Sequence, residues 1–397
     1  MASDDVVILG VGMHPWGKWG QNFVDYGVAA CREALADAGV AWKDVPFVSG
    51  ACTMRCGYPG YVAGATFAQA LGWNGARIAS SYAACASGSM ALEAARAQIR
   101  SGRCEVALVV GADTTPKGFL APQAGDRPND PDWLRFRLIG ATNPTYFALY
   151  ARRRMDLYGT TEREIAEVRV KNARHGFQNP YARYRQELTV EAVLASNMVA
   201  DPLRLLEICA TSDGGAAVVV ASEAYARRKG ATNPVRIAAI STVTPRYPSG
   251  QLEMPDLATD SWAVVPKPEY AFRDSIAHAA YEEAGLGPSD MSLAEVYDLS
   301  SAMELDWYEQ IGLCPRGEGE KLLRDGVTTL GGRCPVNTSG GLACFGEAVP
   351  AQALAQVCEL TWQLRGQAGP RQVANAKAGI TANQGLFGHG SSVILTR

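Results

Sequence analysis

Residues 85–102 read CASGSMALEAARAQIRSG, and residues 339–366 read SGGLACFGEAVPAQALAQVCELTWQLRG. Each is a stretch of small residues and glycine leading into an amphipathic helix. A second pair lies upstream of these. Residues 25–44 read DYGVAACREALADAGVAWKD, and residues 273–290 read RDSIAHAAYEEAGLGPSD. Both read as helices that end on a glycine, where a left-handed C-cap belongs. The two pairs keep the same order at a separation of about 240 residues, far too long for a solenoid period. The chain therefore reads as a duplicated α/β protein. Its halves are residues 1–232 and 233–397, meeting where Asn233-Pro234 stands between a helix and a strand.

Strands are expected at 6–12, 106–111, 216–221, 235–241, 293–297 and 392–396. These runs are apolar throughout, as in strands covered on both faces, and a mostly parallel sheet is expected. Residues 113–202 differ. They are rich in Pro, Arg, Tyr and Asn and too long for an ordinary connection. They read as an inserted loop domain with helices of its own, such as 146–158, of the kind that often covers an active site. Arg152, Arg153 and Arg154 form a basic run there. It is either a solvated or subunit-facing surface or a contact for a phosphorylated cofactor.

The 397 residues are 47% hydrophobic and 19% charged, enough to fill a large core. A net charge of −3 gives no electrostatic footprint for nucleic acid. No run approaches the roughly 18–20 apolar residues of a membrane span. The opening MASDDVVILGVG lacks the basic and apolar regions of a signal peptide. The ten cysteines are scattered and read as reduced, buried thiols of a cytoplasmic protein. Cys52 and Cys56 have no histidine or second cysteine pair near them, so no metal site is expected. The segment from Gly10 to Pro15, GVGMHP, follows a strand without the spacing of a dinucleotide fingerprint.

Four segments carry candidate chemistry. Cys85 leads a helix, whose dipole favours a thiolate; the alternative is a buried structural cysteine. Tyr297 stands at a strand end in EVYDLSS, where α/β active sites form. It is a general acid or base, or else a core tyrosine with a bonded hydroxyl. Asn337, Gly340, Gly341 and Gly346 belong to NTSGGLACFGEA, whose glycine amides could bind an oxyanion or an acyl-CoA loop. Glu347 in the same run would enter the next helix near its N-terminus and stay ionised there, or serve only as a helix-end charge. His389 lies between glycines in GHG; it is the best placed of four histidines for proton transfer, or a turn residue.

At these motifs the chain resembles the thiolase superfamily. It is closest to the branch of the sterol-carrier-protein thiolases and lipid-transfer proteins, through CASGSMAL, the SGGL segment and VKNARHGFQNPYARYRQELTVEAVLASNMVADPLRLLEICATSDGGAAVVV at 170–220. The resemblance implies the thiolase fold: two βαβαβαββ halves in five layers, an inserted loop domain and a homodimer. It also implies an acyl-CoA substrate, with coenzyme A entering as part of that substrate and no bound cofactor. Cys85 falls at the acyl-accepting position. The family's H-D-C-F histidine is replaced by Tyr297-Asp298-Leu299-Ser300. Its G-H-P is replaced by Gly346-Glu347-Ala348. The conventional C-terminal Cys-x-Gly is Asn383-Gln384-Gly385 here.

Members with the same Tyr-Asp and Gly-Glu replacements resemble retro-aldolases of steroid side-chain breakdown. They work with a DUF35 partner of OB-fold and zinc-ribbon type, in a heterotetramer. The resemblance thus implies cleavage of a β-hydroxyacyl-CoA to a ketone and a short acyl-CoA such as propionyl-CoA. Tyr297 or Glu347 would be the base, and His389 or Tyr297 would return the proton. Other aldolase-like members shorten the paired-glycine loop and place a tyrosine after Gly-Glu-Ala; Val349 stands there in this chain. Two other functions remain: a thiolase acting through Cys85, and a non-catalytic acyl-CoA or lipid-binding subunit.

Overall fold

The computed structural model describes residues 5–52, 61–116, 143–244, 272–385 and 389–397. The first half runs β1 (Val6–Gly17), α1 (Phe23–Ala38), β2 (Phe47–Ala51), α2 (Ala63–Leu71), β3 (Arg77–Ser81), α3 (Ser87–Arg100) and β4 (Val106–Thr114). A mainly helical excursion follows: α4 (Asn143–Tyr158), α5 (Glu162–Phe177), α6 (Val190–Leu194), β5 (Met198–Ala200) and β6 (Leu203–Arg204). The chain returns through β7 (Asp213–Ser222), α7 (Glu223–Arg228) and β8 (Val235–Val243). It continues with α8 (Phe272–Ala284), β9 (Leu293–Val296), α9 (Ser301–Gln310), α10 (Gly319–Arg324) and α11 (Gly341–Phe345). α12 (Gln352–Arg365), β10 (Ala378–Gln384) and β11 (Gly390–Thr396) complete it.

The duplication is visible in the strand order. Among the described residues nine strands form one sheet, β3-β2-β4-β7-β1-β8-β11-β10-β9, joined at its middle by a short β1–β8 pairing. β8-α8-β9 repeats β1-α1-β2, and α12-β10-β11 repeats α3-β4-β7. α1 and α8 are each followed by a left-handed glycine, Gly39 (φ 61°) and Gly285 (φ 66°).

The expected mostly parallel sheet is corrected. The large sheet has five antiparallel and three parallel pairings. The last strand of each half, β7 or β11, runs back antiparallel against both neighbours. Among the described strands, parallel pairing survives only for β2–β3, β2–β4 and β9–β10, where helices supply the crossovers.

Three apolar cores separate five layers. α1 and α2 pack on the outer face of the first half, and α8 and α9 on that of the second. α3 and α12 lie between the halves, with Leu92 and Ile99 meeting the same core as Leu354, Val357 and Leu360. Gly88 eases the close approach, since a Cβ there would make a tight 3.0 Å contact with the Leu354 backbone nitrogen. α12 was expected to be amphipathic, yet twelve of its fourteen residues are buried. A helix enclosed on every side must satisfy its polar groups internally. Gln356, Glu359, Thr361 and Gln363 do so.

The basic run on α4 is also corrected. Arg154 is 2% exposed and bonds Glu320 (2.6 Å), Asp306 (2.6 Å) and Glu309 (2.5 Å). Arg152 pairs with Asp201 at the surface. Arg154 thus ties α4 to α9 and α10, and its guanidinium is spent in that cluster.

Candidate active site

Cys85 sits in a single 3-10 turn, Ala84–Ala86, ahead of α3. Ala84 adopts φ 46°, a left-handed conformation that costs a non-glycine residue about 1–2 kcal/mol. Ser87 holds the turn: its Oγ accepts the Ala83 N–H at 2.9 Å and donates to the Ala84 carbonyl at 2.6 Å. The thiol is buried, only 3% exposed. Burial pushes its pKa well above the ordinary thiol value, and the nearby Glu347 carboxylate pushes it further; Tyr297 and the Gln352 amide oppose this. The expected thiolate is therefore corrected to a protonated thiol. Desolvation of the anion outweighs the helix dipole.

Glu347 does not enter a helix as expected. It lies in an extended segment between α11 and α12 that bridges to Thr211. Its N–H donates to the Ala210 carbonyl at 2.6 Å, and its carbonyl accepts the Ser212 N–H at 2.9 Å. No helix dipole keeps it ionised; burial raises its pKa, while hydrogen bonds from Tyr297 and Cys85 work the other way. Both donors meet one oxygen: Tyr297 Oη donates to Glu347 Oε1 at 2.8 Å and Cys85 Sγ at 3.3 Å. Tyr297 stands directly after β9, 2% exposed, and its carbonyl accepts the Trp307 indole N–H at 2.8 Å. Burial, with Cys85 and Glu347 beside it, lifts the phenol well above its ordinary pKa. Thiol, phenol and carboxyl thus share a proton network in a low-dielectric site.

The 337–346 loop builds this site without offering its amides. Asn337, at φ 55°, donates its N–H to the Ala294 carbonyl at 2.8 Å. Its Oδ1 accepts the Val296 N–H at 2.8 Å, and its Nδ2 donates to Glu304 at 2.9 Å. The Gly340 N–H goes to the Asn337 carbonyl at 2.9 Å, that of Gly341 to Ser339 Oγ at 3.1 Å, and that of Gly346 to the Leu342 carbonyl at 2.7 Å. Asp298 takes the N–H groups of Leu342 (2.7 Å) and Ala343 (3.2 Å) at the start of α11. A Cβ on Gly341 would lie 2.5 Å from the Asp298 carboxylate. In this geometry Gly340 and Gly341 are not oxyanion donors.

His175 holds the loop from beneath. Its Nδ1–H donates to the Asn337 carbonyl at 3.0 Å, and its Nε2 accepts the Leu330 N–H at 3.1 Å. Burial, then Lys171, lowers its pKa to about 3. Unfolded, it titrates near 6.5. Its contribution to stability is complete above that value and is lost as pH falls toward the folded pKa. Between pH 7 and pH 5 this loss is about 2 kcal/mol. Urea unfolding at the two pH values is expected to show that drop, and His175→Gln to flatten the profile by the same amount.

His389 reaches the Cys85 loop rather than the thiol: its Nε2 lies 2.7 Å from the Ala83 carbonyl. Two neighbours were not singled out from sequence. Half-buried Cys209 is close enough to Glu347, Asp298 and Cys85 for their charges to raise its pKa. Gln352, on the first turn of α12, lies beside the Cys85 sulfur. Both fall within motif segments, but nothing in their residue types marks them.

A duplicated five-layer α/β protein that assembles a helix-leading cysteine, a strand-end residue and a loop residue at the junction of its halves has the thiolase fold. The chain belongs to the thiolase family. It matches the family described as "Thiolase, N-terminal domain" over residues 6–224 and "Thiolase C-terminal domain-like" over 263–397. It is 34% identical to Sterol carrier protein 2 of Rattus norvegicus, covering 96% of this chain and 70% of that protein. It is 32% identical to Acetyl-CoA acetyltransferase of Methanothermobacter thermautotrophicus, covering 98% of both. Among solved structures, one described as an Ltp2-ChsH2(DUF35) aldolase covers 100% of this chain and 98% of its own, with a TM-score of 0.80 and 24% identity. Human mitochondrial 3-ketoacyl-CoA thiolase gives 0.69 at 16% identity, covering 99% of this chain and 98% of its own. The sequence resemblance to the sterol-carrier-protein thiolase branch holds. No described helix is long and apolar enough to cross a membrane.

Proposed function

We propose that this protein is an acyl-CoA C–C lyase that cleaves a β-hydroxyacyl-CoA by a retro-aldol reaction. The observation carrying this reading is the single Glu347 oxygen that accepts from both Tyr297 and Cys85. Such a site is arranged to move protons, and its thiol is held un-ionised. Glu347 takes the β-hydroxyl proton. The O–H electron pair becomes the ketone C=O as the Cα–Cβ bond breaks, and that bond's pair passes to Cα and the thioester oxygen as an enolate. Tyr297 protonates Cα. The proton on Glu347 then returns to Tyr297 along their 2.8 Å hydrogen bond, restoring the site. No free coenzyme A and no acyl-cysteine are needed.

A tertiary β-hydroxyacyl-CoA, offered without free coenzyme A, should release propionyl-CoA or acetyl-CoA by mass spectrometry. An acyl mass on Cys85, with turnover only of β-ketoacyl-CoA plus coenzyme A, would instead support acyl transfer. The 3.3 Å thiol–carboxylate contact favours that second reading. Because burial raises Glu347, the acid limb of kcat/KM should lie above the ordinary carboxyl range. A limb at or below pH 4 would count against Glu347 as the base.

The assembly is proposed to be a homodimer through β3, which ends the sheet order and exposes Ile78 (43%), with Tyr82 (43%) just after it. Ile78→Asp should convert a dimer to a monomer in light scattering; an unaltered protein that is already monomeric would sink the proposal. A DUF35-type partner is carried over, as a proposal, from the aldolase complex that shares the fold.

A further inference from the structure

We propose that Gln352 binds the thioester carbonyl oxygen of the substrate and holds the enolate that forms there. The inference rests on the acyl-CoA reading above. A retro-aldol site needs a hydrogen-bond donor for that oxygen, and the glycine amides of the 337–346 loop are already committed to protein acceptors. Gln352 is a side-chain donor beside Cys85 that is not committed in this way. It is 2% exposed, and neither its Nε2 nor its Oε1 makes a well-formed hydrogen bond; the group it acts on is the neighbouring Cys85 thiol. Buried amides are rarely left so, and those that are call for a functional or solvent partner. The other polar side chains buried on α12 are all bonded. Gln352 lies beside the turn carrying Cys85, where α12 meets α3 at Gly88.

Position supports the assignment. Gln352 follows Glu347 by five residues, so base and donor are set by one short segment anchored on Thr211. The amide also supports a thiolate on Cys85, as a donor directed toward negative charge would. A bland alternative exists. Gln352 also lines a small cavity of about 20 Å³ with Glu295, Ser339, Gln356 and Glu359, room for about one water. An amide serving only that water would matter to stability and not to ligand choice.

The test uses two non-reacting ligands, octanoyl-CoA and its thioether analogue, which lacks the carbonyl oxygen. Calorimetry should show the unaltered protein preferring the thioester. Gln352→Met should lose about tenfold in thioester affinity, the worth of one good hydrogen bond, while thioether affinity stays put. Its melting temperature should hold or rise, because a buried amide without a well-formed hydrogen bond has been removed. A thioester preference that survives in Gln352→Met overturns this inference alone. Failure of the unaltered protein to bind either ligand overturns the acyl-CoA reading and this inference with it.

Discussion

Glu347→Gln is expected to lower kcat for β-hydroxyacyl-CoA cleavage by about 10³-fold, within the range of a lost general base. The substitution is nearly isosteric, and an amide oxygen can still accept from Tyr297 and Cys85. What disappears is the site's ability to take a proton. KM should change little, because the replacement keeps the shape of the side chain and its hydrogen-bond acceptor. Stability should be unchanged or higher, since Glu347 is only 3% exposed and the variant carries one fewer desolvated charge. Tyr297→Phe should also be severe, because the proton would have no route back to Cα. Cys85→Ala should retain activity within about tenfold. The reverse pattern, with Cys85→Ala inactive and Glu347→Gln merely slowed, would identify the thiol as a nucleophile and discard the lyase reading. Steady-state kinetics on the three purified variants decides between them.

The largest expected effect on stability lies beneath the site. Glu304 is fully buried and accepts from Lys171, Tyr308 (2.5 Å), Asn172 (2.5 Å) and Asn337 (2.9 Å). Lys171, itself 4% exposed, also donates to the Val336 carbonyl at 2.7 Å. Lys171→Met would leave the carboxylate buried without its counter-charge, a change costing about 3–5 kcal/mol. The double variant Lys171→Met/Glu304→Gln should recover most of that, because both charges then leave together. Urea unfolding of the two singles and the double measures the coupling. A Lys171→Met loss below about 1 kcal/mol would mean that the neutral donors suffice. Since Asn337 shares this network and sets the end of β9 through Val296, the same variant should also weaken catalysis.

Much of the architecture was legible because it was written twice. The glycines ending DYGVAACREALADAG and RDSIAHAAYEEAG adopt the left-handed conformation their position implied, and the strand-helix units recur in the order the repeats predicted. Strand direction was not legible. An apolar run such as VALVVGA reads the same in either direction, and β7 and β11 turn back for reasons of connection. Burial around α12 was also hidden, because Gln356 and Glu359 look like part of a solvent face until Asn383 and Arg371 are seen to satisfy them. Arg154 misled in the same way: its three carboxylate partners lie more than 150 residues away in the chain.

The residues of the candidate site were named by the sequence; their chemical states were not. Cys85, Tyr297 and Glu347 are marked by a helix start, a strand end and a glycine-rich loop, which are local features that short segments encode. Their protonation depends on how much water the assembled halves exclude and on which groups 50 and 262 residues apart share one oxygen. Only the tertiary structure decides that. Local sequence sets backbone conformation within a few residues, whereas the energy of a buried charge is set by every neighbour brought within a few ångströms. The same reason explains why the glycine amides became internal ties and why Gln352, unremarkable in sequence, comes to lie buried beside Cys85.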